Sequence, residues 1–205
     1  GDLIDKGVLL APAENPRGAP AFRALVIDPP ASEREFIALW KLYLACLASA
    51  ALDEFGVLGA EADELRSRLE ESGLKPREKN LQSILQSAFE YVKRILRPSA
   101  IEGGLKLDPT TQLPIGVTGK ILFAEPSAKQ AEQGMASVDR LLELVGKALA
   151  QSKYRLWFLL DRLDVAFSES PELEQNALRA LFHVYLDLLG LKNMVIPRPN
   201  GPKWV

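Results

Sequence analysis

Tyr154 to Phe167 reads YRLWFLLDRLDVAF, and this stretch decides the fold expected of the chain. Four apolar residues, Trp157 to Leu160, run into Asp161, and a second acid, Asp164, follows after Arg162 and Leu163. An apolar run this short has the length of a buried strand. Its continuity predicts burial on both faces, as in the middle of a parallel sheet, whose carboxyl end opens onto the crevice where ligands bind. An acid at that exit can hold the water shell of Mg²⁺, whose octahedral coordination is met by carboxylate, waters and phosphate oxygens. A neighbouring acid can orient or activate the attacking water. Spacing alone leaves a second reading open, because strand ends also carry Asp as a turn former or helix cap.

Working outward, Leu141, Leu142, Val145 and Leu149 recur at helical spacing, so a helix over 138–150 feeds this strand. After it, Pro171 to Leu189 keeps the helical period, with Pro171 at a first turn and Gly190 as the stop. Near the other end, Phe22 to Asp28 (FRALVID) is a second short apolar run, ended by Pro29 and Pro30, and predicts a strand in the same sheet. Ser32 with Glu35 forms a capping-box pattern ahead of an apolar run that continues to about Phe55. A short charged helix is expected over 60–72 and an amphipathic one over 80–97, before Pro98. Gly103, Gly104, Pro109, Pro114, Gly116 and Gly119 punctuate a stretch read as a β-hairpin insertion at about 99–127. Residues 1–21, with Pro12, Pro16 and Pro20, read as an irregular segment. The order of strands and helices predicts an α/β fold with a mainly parallel sheet and a helical subdomain at about 57–98.

Composition narrows the function classes. The chain has 205 residues, 47% hydrophobic and 25% charged, with a formal net charge of −2, so no basic excess points to nucleic acid. Cys46, the single cysteine, has no internal partner and sits in an apolar run, which fits a reducing cytoplasm. The longest apolar run, Phe36 to Leu52, falls short of the ~20 residues a spanning helix needs and contains Lys41, so a buried helix is expected rather than a membrane span. GDLIDKGVLL lacks the basic start of a signal peptide.

The hexad LLDRLD, the long helix ELEQNALRALFHVYLDLLGL after it and the GKILFAEPSAKQ stretch before it resemble a family of bacterial P-loop ATPases in the style of the KAP and STAND classes. The similarity runs from about Phe22 to Leu191. It implies an incomplete P-loop NTPase-like domain over 22–205, with Asp161 as the Walker B aspartate on Mg²⁺ and Asp164 as the second acid near the γ-phosphate of ATP. Arg162 stands where many related ATPases carry a catalytic glutamate. The Walker A pattern G-x-x-x-x-G-K-[ST] is absent; the nearest string, Gly116 to Ile121 (GVTGKI), has too few residues between its glycines and Ile121 where a hydroxyl is needed. In this family the loop precedes the first strand present here, so the chain reads as beginning after Walker A, and Met194 to Ile196 reads as the start of a further core strand. Under the resemblance the intact parent hydrolyses ATP with Mg²⁺ and this chain alone is inactive. The alternative is a non-catalytic helical module that binds a protein partner or a second copy.

Three further groups are weighed on residue type. His183, with no second His and no paired Cys, reads as a packed or surface residue. Trp40 and Tyr43 read as core. Arg94, Arg97 and Arg179 are phosphate or partner contacts by charge alone.

Overall fold

The computed structural model describes residues 3–13, 32–75, 80–96, 128–161, 170–189 and 194–195. Among these residues the chain forms three strands, β1 (Val8–Pro12), β2 (Arg155–Leu159) and β3 (Met194–Val195). Five α-helices accompany them: α1 (Glu33–Glu54), α2 (Ala60–Glu71), α3 (Leu81–Leu96), α4 (Ala128–Ser152) and α5 (Pro171–Leu189). The helices follow local chemistry. Ser32 accepts a hydrogen bond from the Glu35 amide while the Glu35 carboxylate accepts one from the Ser32 amide, so the expected capping box starts α1. Pro171 occupies the first turn of α5, where its missing amide costs nothing.

Helix α1 is apolar all round because it lies in the middle of the molecule, contacting the other four helices and β1. From Phe36 to Leu52 it is buried everywhere except at Ile37 and Ala50. By length and composition this helix could cross a membrane, but 83% of its apolar window is buried inside the fold, so its apolar surface is already accounted for. Trp40 and Tyr43 are fully buried and still satisfy their polar atoms: Trp40 Nε1 donates to the Ala177 carbonyl at 2.9 Å and Tyr43 Oη to the Ala13 carbonyl at 2.8 Å. One cluster of buried side chains joins all five helices to the sheet, the residues of α2 and α3 included.

The expected α/β class, a partial P-loop NTPase-like core built on a mainly parallel sheet, is corrected by this architecture. Five helices dominate, and the sheet consists of two five-residue strands and a two-residue third. The apolar residues are spent on helix-to-helix packing around α1, which leaves little for a sheet to bury. The sheet is parallel, in the order β1-β2-β3, with Val8 opposite Arg155 and Pro12 opposite Leu159. Val8–Pro12 falls inside the segment expected to be irregular. VLLA is free of proline, and Pro12 ends the strand where no ladder donor is needed. The strand expected at Phe22 to Asp28 and the hairpin expected at about 99–127 lie outside the described residues.

Burial across the sheet is uneven, which also differs from expectation. Leu9, Ala11, Leu156 and Phe158 belong to the core cluster, whereas on the other face Val8 is buried, Leu10 and Trp157 are half-buried, and Pro12 and Leu159 are exposed. Topology supplies the reason. Both crossovers advance the same way across the sheet, β1 to β2 to β3, and crossovers that share a hand place their connecting helices on one face. The outer edge of β1 is also poor in donors, because the Val8 amide already donates to the Leu3 carbonyl and Pro12 has none.

Candidate functional site

Helix α4 turns into β2 within two residues through Lys153, whose φ of 60° lies in the left-handed region. The ladder then aligns the strand: the Arg155 amide donates to the Gly7 carbonyl at 2.8 Å, and at the far end the Ala13 amide donates to the Leu159 carbonyl at 2.9 Å. Two residues past β2, Asp161 is exposed at the carboxyl edge of the sheet. It makes no ion pair among the described residues. Asp164 and Arg162 lie outside the described residues. On the β1 side the same edge is closed, because Tyr43 holds the Ala13 carbonyl.

One carboxylate aimed at solvent from a strand end can hold a hydrated divalent cation only with help from phosphate oxygens, since Mg²⁺ keeps several waters and takes few protein ligands. Among the described residues no three His, Cys, Asp or Glu side chains converge in a way that could hold a metal unaided.

Three other places carry chemistry. Lys41, whose side chain is 8% exposed, reaches out of α1 to Asp139 Oδ1 on α4 and Asp187 Oδ2 on α5, each at 2.7 Å. Burial works to lower its pKa, but hydrogen bonds and charge attraction from the two carboxylates outweigh that and hold the ammonium above its usual value. Sequence reading used Lys41 only against a membrane span. The signal it missed is that an ammonium inside an apolar helix requires carboxylates facing it from neighbouring elements.

A pocket of about 80 Å³ opens between α1 and α2, with Cys46, Leu69 and Leu74 among its apolar walls and Arg66, Asp53 and Lys75 among its polar ones. Its charges are spent internally. Arg66 binds Asp53, Asp63 and the Val57 carbonyl, and Lys75 pairs with Glu70 at 3.3 Å. Burial pushes the Cys46 thiol up to about 12, so it is a neutral packing group rather than a nucleophile.

Along α5, Gln175, Arg179, Phe182 and Leu186 form an exposed stripe, with Phe182 65% and Leu186 61% exposed. His183 lies beside it at the surface, with Nε2 3.1 Å from Glu33 Oε1. The side chains of Arg94 and Arg97 are outside the described residues.

No family model, curated protein or solved structure matches this chain. Of the residues singled out in the sequence, Asp161 is at the strand exit expected of it, Trp40 and Tyr43 are in the core, and Arg179 is exposed beside two large apolar side chains.

Proposed function

We propose that this chain carries the metal-binding acid of an ATP hydrolase, with Asp161 anchoring Mg²⁺ and Asp164 serving as the second acid near the γ-phosphate. The observation that carries this reading is the exposed Asp161 directly beyond the middle strand of a parallel sheet, the edge where ligands of such sheets bind. The phosphates need a cradle of backbone amides and a lysine, and this sequence has no Walker A octet to provide them. The reading therefore requires a phosphate-binding loop from another stretch of polypeptide, and it assigns no hydrolysis to this chain alone. A buried, unpaired Cys46 supports a reducing, cytoplasmic setting.

The test starts from the coding sequence ahead of Gly1. A protein joining a G-x-x-x-x-G-K-[ST] segment found there to this chain should hydrolyse Mg-ATP. Asp161→Asn should lower that rate at least ~100-fold with an unchanged circular dichroism spectrum, because the metal loses its protein anchor. A full rate in the folded variant, or no such segment upstream, overturns the reading.

The exposed stripe on α5 favours a second reading, in which the chain is a non-catalytic helical module that associates through its surface. Large apolar side chains exposed at helical spacing next to an exposed arginine are the makings of a protein contact.

A further inference from the structure

We propose that the pocket between α1 and α2 binds a small neutral amphiphile, of which a short-chain alcohol is the simplest, with its carbons on the apolar wall and its oxygen on the Ser49 hydroxyl. The inference is independent of the nucleotide chemistry at Asp161.

Local sequence builds the pocket. Cys46, Ser49, Ala50 and Asp53 recur at three- and four-residue spacing, so they share the face of α1 that meets α2. Leu69 and Leu74 close the other side. Helix α2 ends in a Schellman motif: Gly73, at a φ of 70°, donates its amide to the Glu70 carbonyl at 3.0 Å, and Leu74 donates to the Leu69 carbonyl at 2.8 Å. That turn folds Leu74 back beside Leu69, and both are buried. Every wall residue lies within 46–75, a stretch described without a break. The space is about 80 Å³, a few times the roughly 30 Å³ that one water takes in the liquid, so it suits a short-chain molecule rather than a nucleotide.

The polar groups select the ligand. Ser49 is 8% exposed, and its hydroxyl has no hydrogen-bond partner among the described residues. A serine inside a helix ordinarily reaches water or bonds the carbonyl four residues back, as Ser152 bonds the Ala148 carbonyl at 2.9 Å. A buried hydroxyl with neither favours a ligand that brings it an oxygen. A charged ligand is disfavoured. Arg66 is engaged by Asp53, Asp63 and the Val57 carbonyl, and Lys75 meets Glu70 in solvent, so an ion would lose hydration without gaining a free counter-charge. Cys46 adds only a neutral thiol, 4.0 Å from the Leu74 carbonyl.

Titrating the isotope-labelled whole chain with n-butanol, followed by NMR, tests this. Saturable shifts should centre on the amides of Ser49, Ala50, Leu69 and Leu74, with a Kd of about millimolar, well within the limit for so few atoms. Unsaturated drift, or shifts centred elsewhere, overturns the proposal. Butyrate and butylammonium should each bind at least ~10-fold more weakly, and equal or tighter binding of either overturns the neutral class. Ser49→Ala should weaken n-butanol at least ~5-fold and leave n-pentane, which has no oxygen to offer, unchanged. A loss shared by both ligands, or by neither, overturns the assignment of Ser49. Ala50→Leu fills the space and should abolish the shifts with an unchanged circular dichroism spectrum. Shifts that persist in that folded variant place binding elsewhere and overturn the proposal; should it fail to fold, Ser49→Ala and the charged analogues decide alone.

Discussion

Lys41 places one largely buried ammonium between two carboxylates. Its side chain is 8% exposed while those of Asp139 and Asp187 are each 56% exposed, so the three groups do not respond equally to loss of a partner. Lys41→Met leaves two carboxylates that water can rehydrate and a well-filled apolar site, and should cost under about 1 kcal/mol. The double substitution Asp139→Asn with Asp187→Asn strands a buried ammonium and should cost about 3 kcal/mol or more. Urea denaturation midpoints of the three proteins check the order. A second expectation concerns pH. Because the folded-state pKa of Lys41 is raised above 10.5, its contribution is complete below pH 10.5 and disappears as pH rises through the folded value. The stability difference between wild type and Lys41→Met should therefore be constant from neutral pH to about 10 and shrink above it, measured by the same denaturation at each pH.

At the scale of elements, α1 organises everything else and its start is defined by two side chains. Ser32 and Glu35 satisfy each other's amides ahead of the first turn. Ser32→Ala should lower stability by about 1 kcal/mol, seen as a lower urea midpoint with an unchanged slope. No change would mean that tertiary packing of α1 determines its start unaided. The cap was legible in advance because it depends on residues three apart. The helix bounds at 60–71, 81–96 and 171–189 were legible for the same reason, through apolar periodicity and stop residues. β1 was not. Its four apolar residues lie among glycines and prolines, and they become a strand only because β2 offers them a ladder.

For the whole molecule, the governing fact is that a helix-dominated chain carries a small parallel sheet with one face in the main core. Asp161 stands at its edge without the amide cradle that would hold the phosphates of a nucleotide. The purified chain should accordingly bind Mg-ATP no tighter than about millimolar, because most charge-assisted hydrogen bonds to phosphate are missing. Calorimetric titration reads this directly, and micromolar affinity would show a phosphate site elsewhere in the chain. The sequence by itself determined α1 with its cap, α2, α3, α5, α4 from residue 138 onward but not its start at Ala128, the strand ahead of Asp161 and the exit position of that acid. All of these depend on neighbours within about one or two turns. Tertiary structure decided the partner of β2, a segment some 145 residues away, and which face of the sheet joins the main core. It also decided which carboxylates Lys41 holds. A run such as WFLL is equally apolar whether one face or both are covered. The outcome is set by the direction and handedness of crossovers between residues far apart in the chain, which no local pattern encodes.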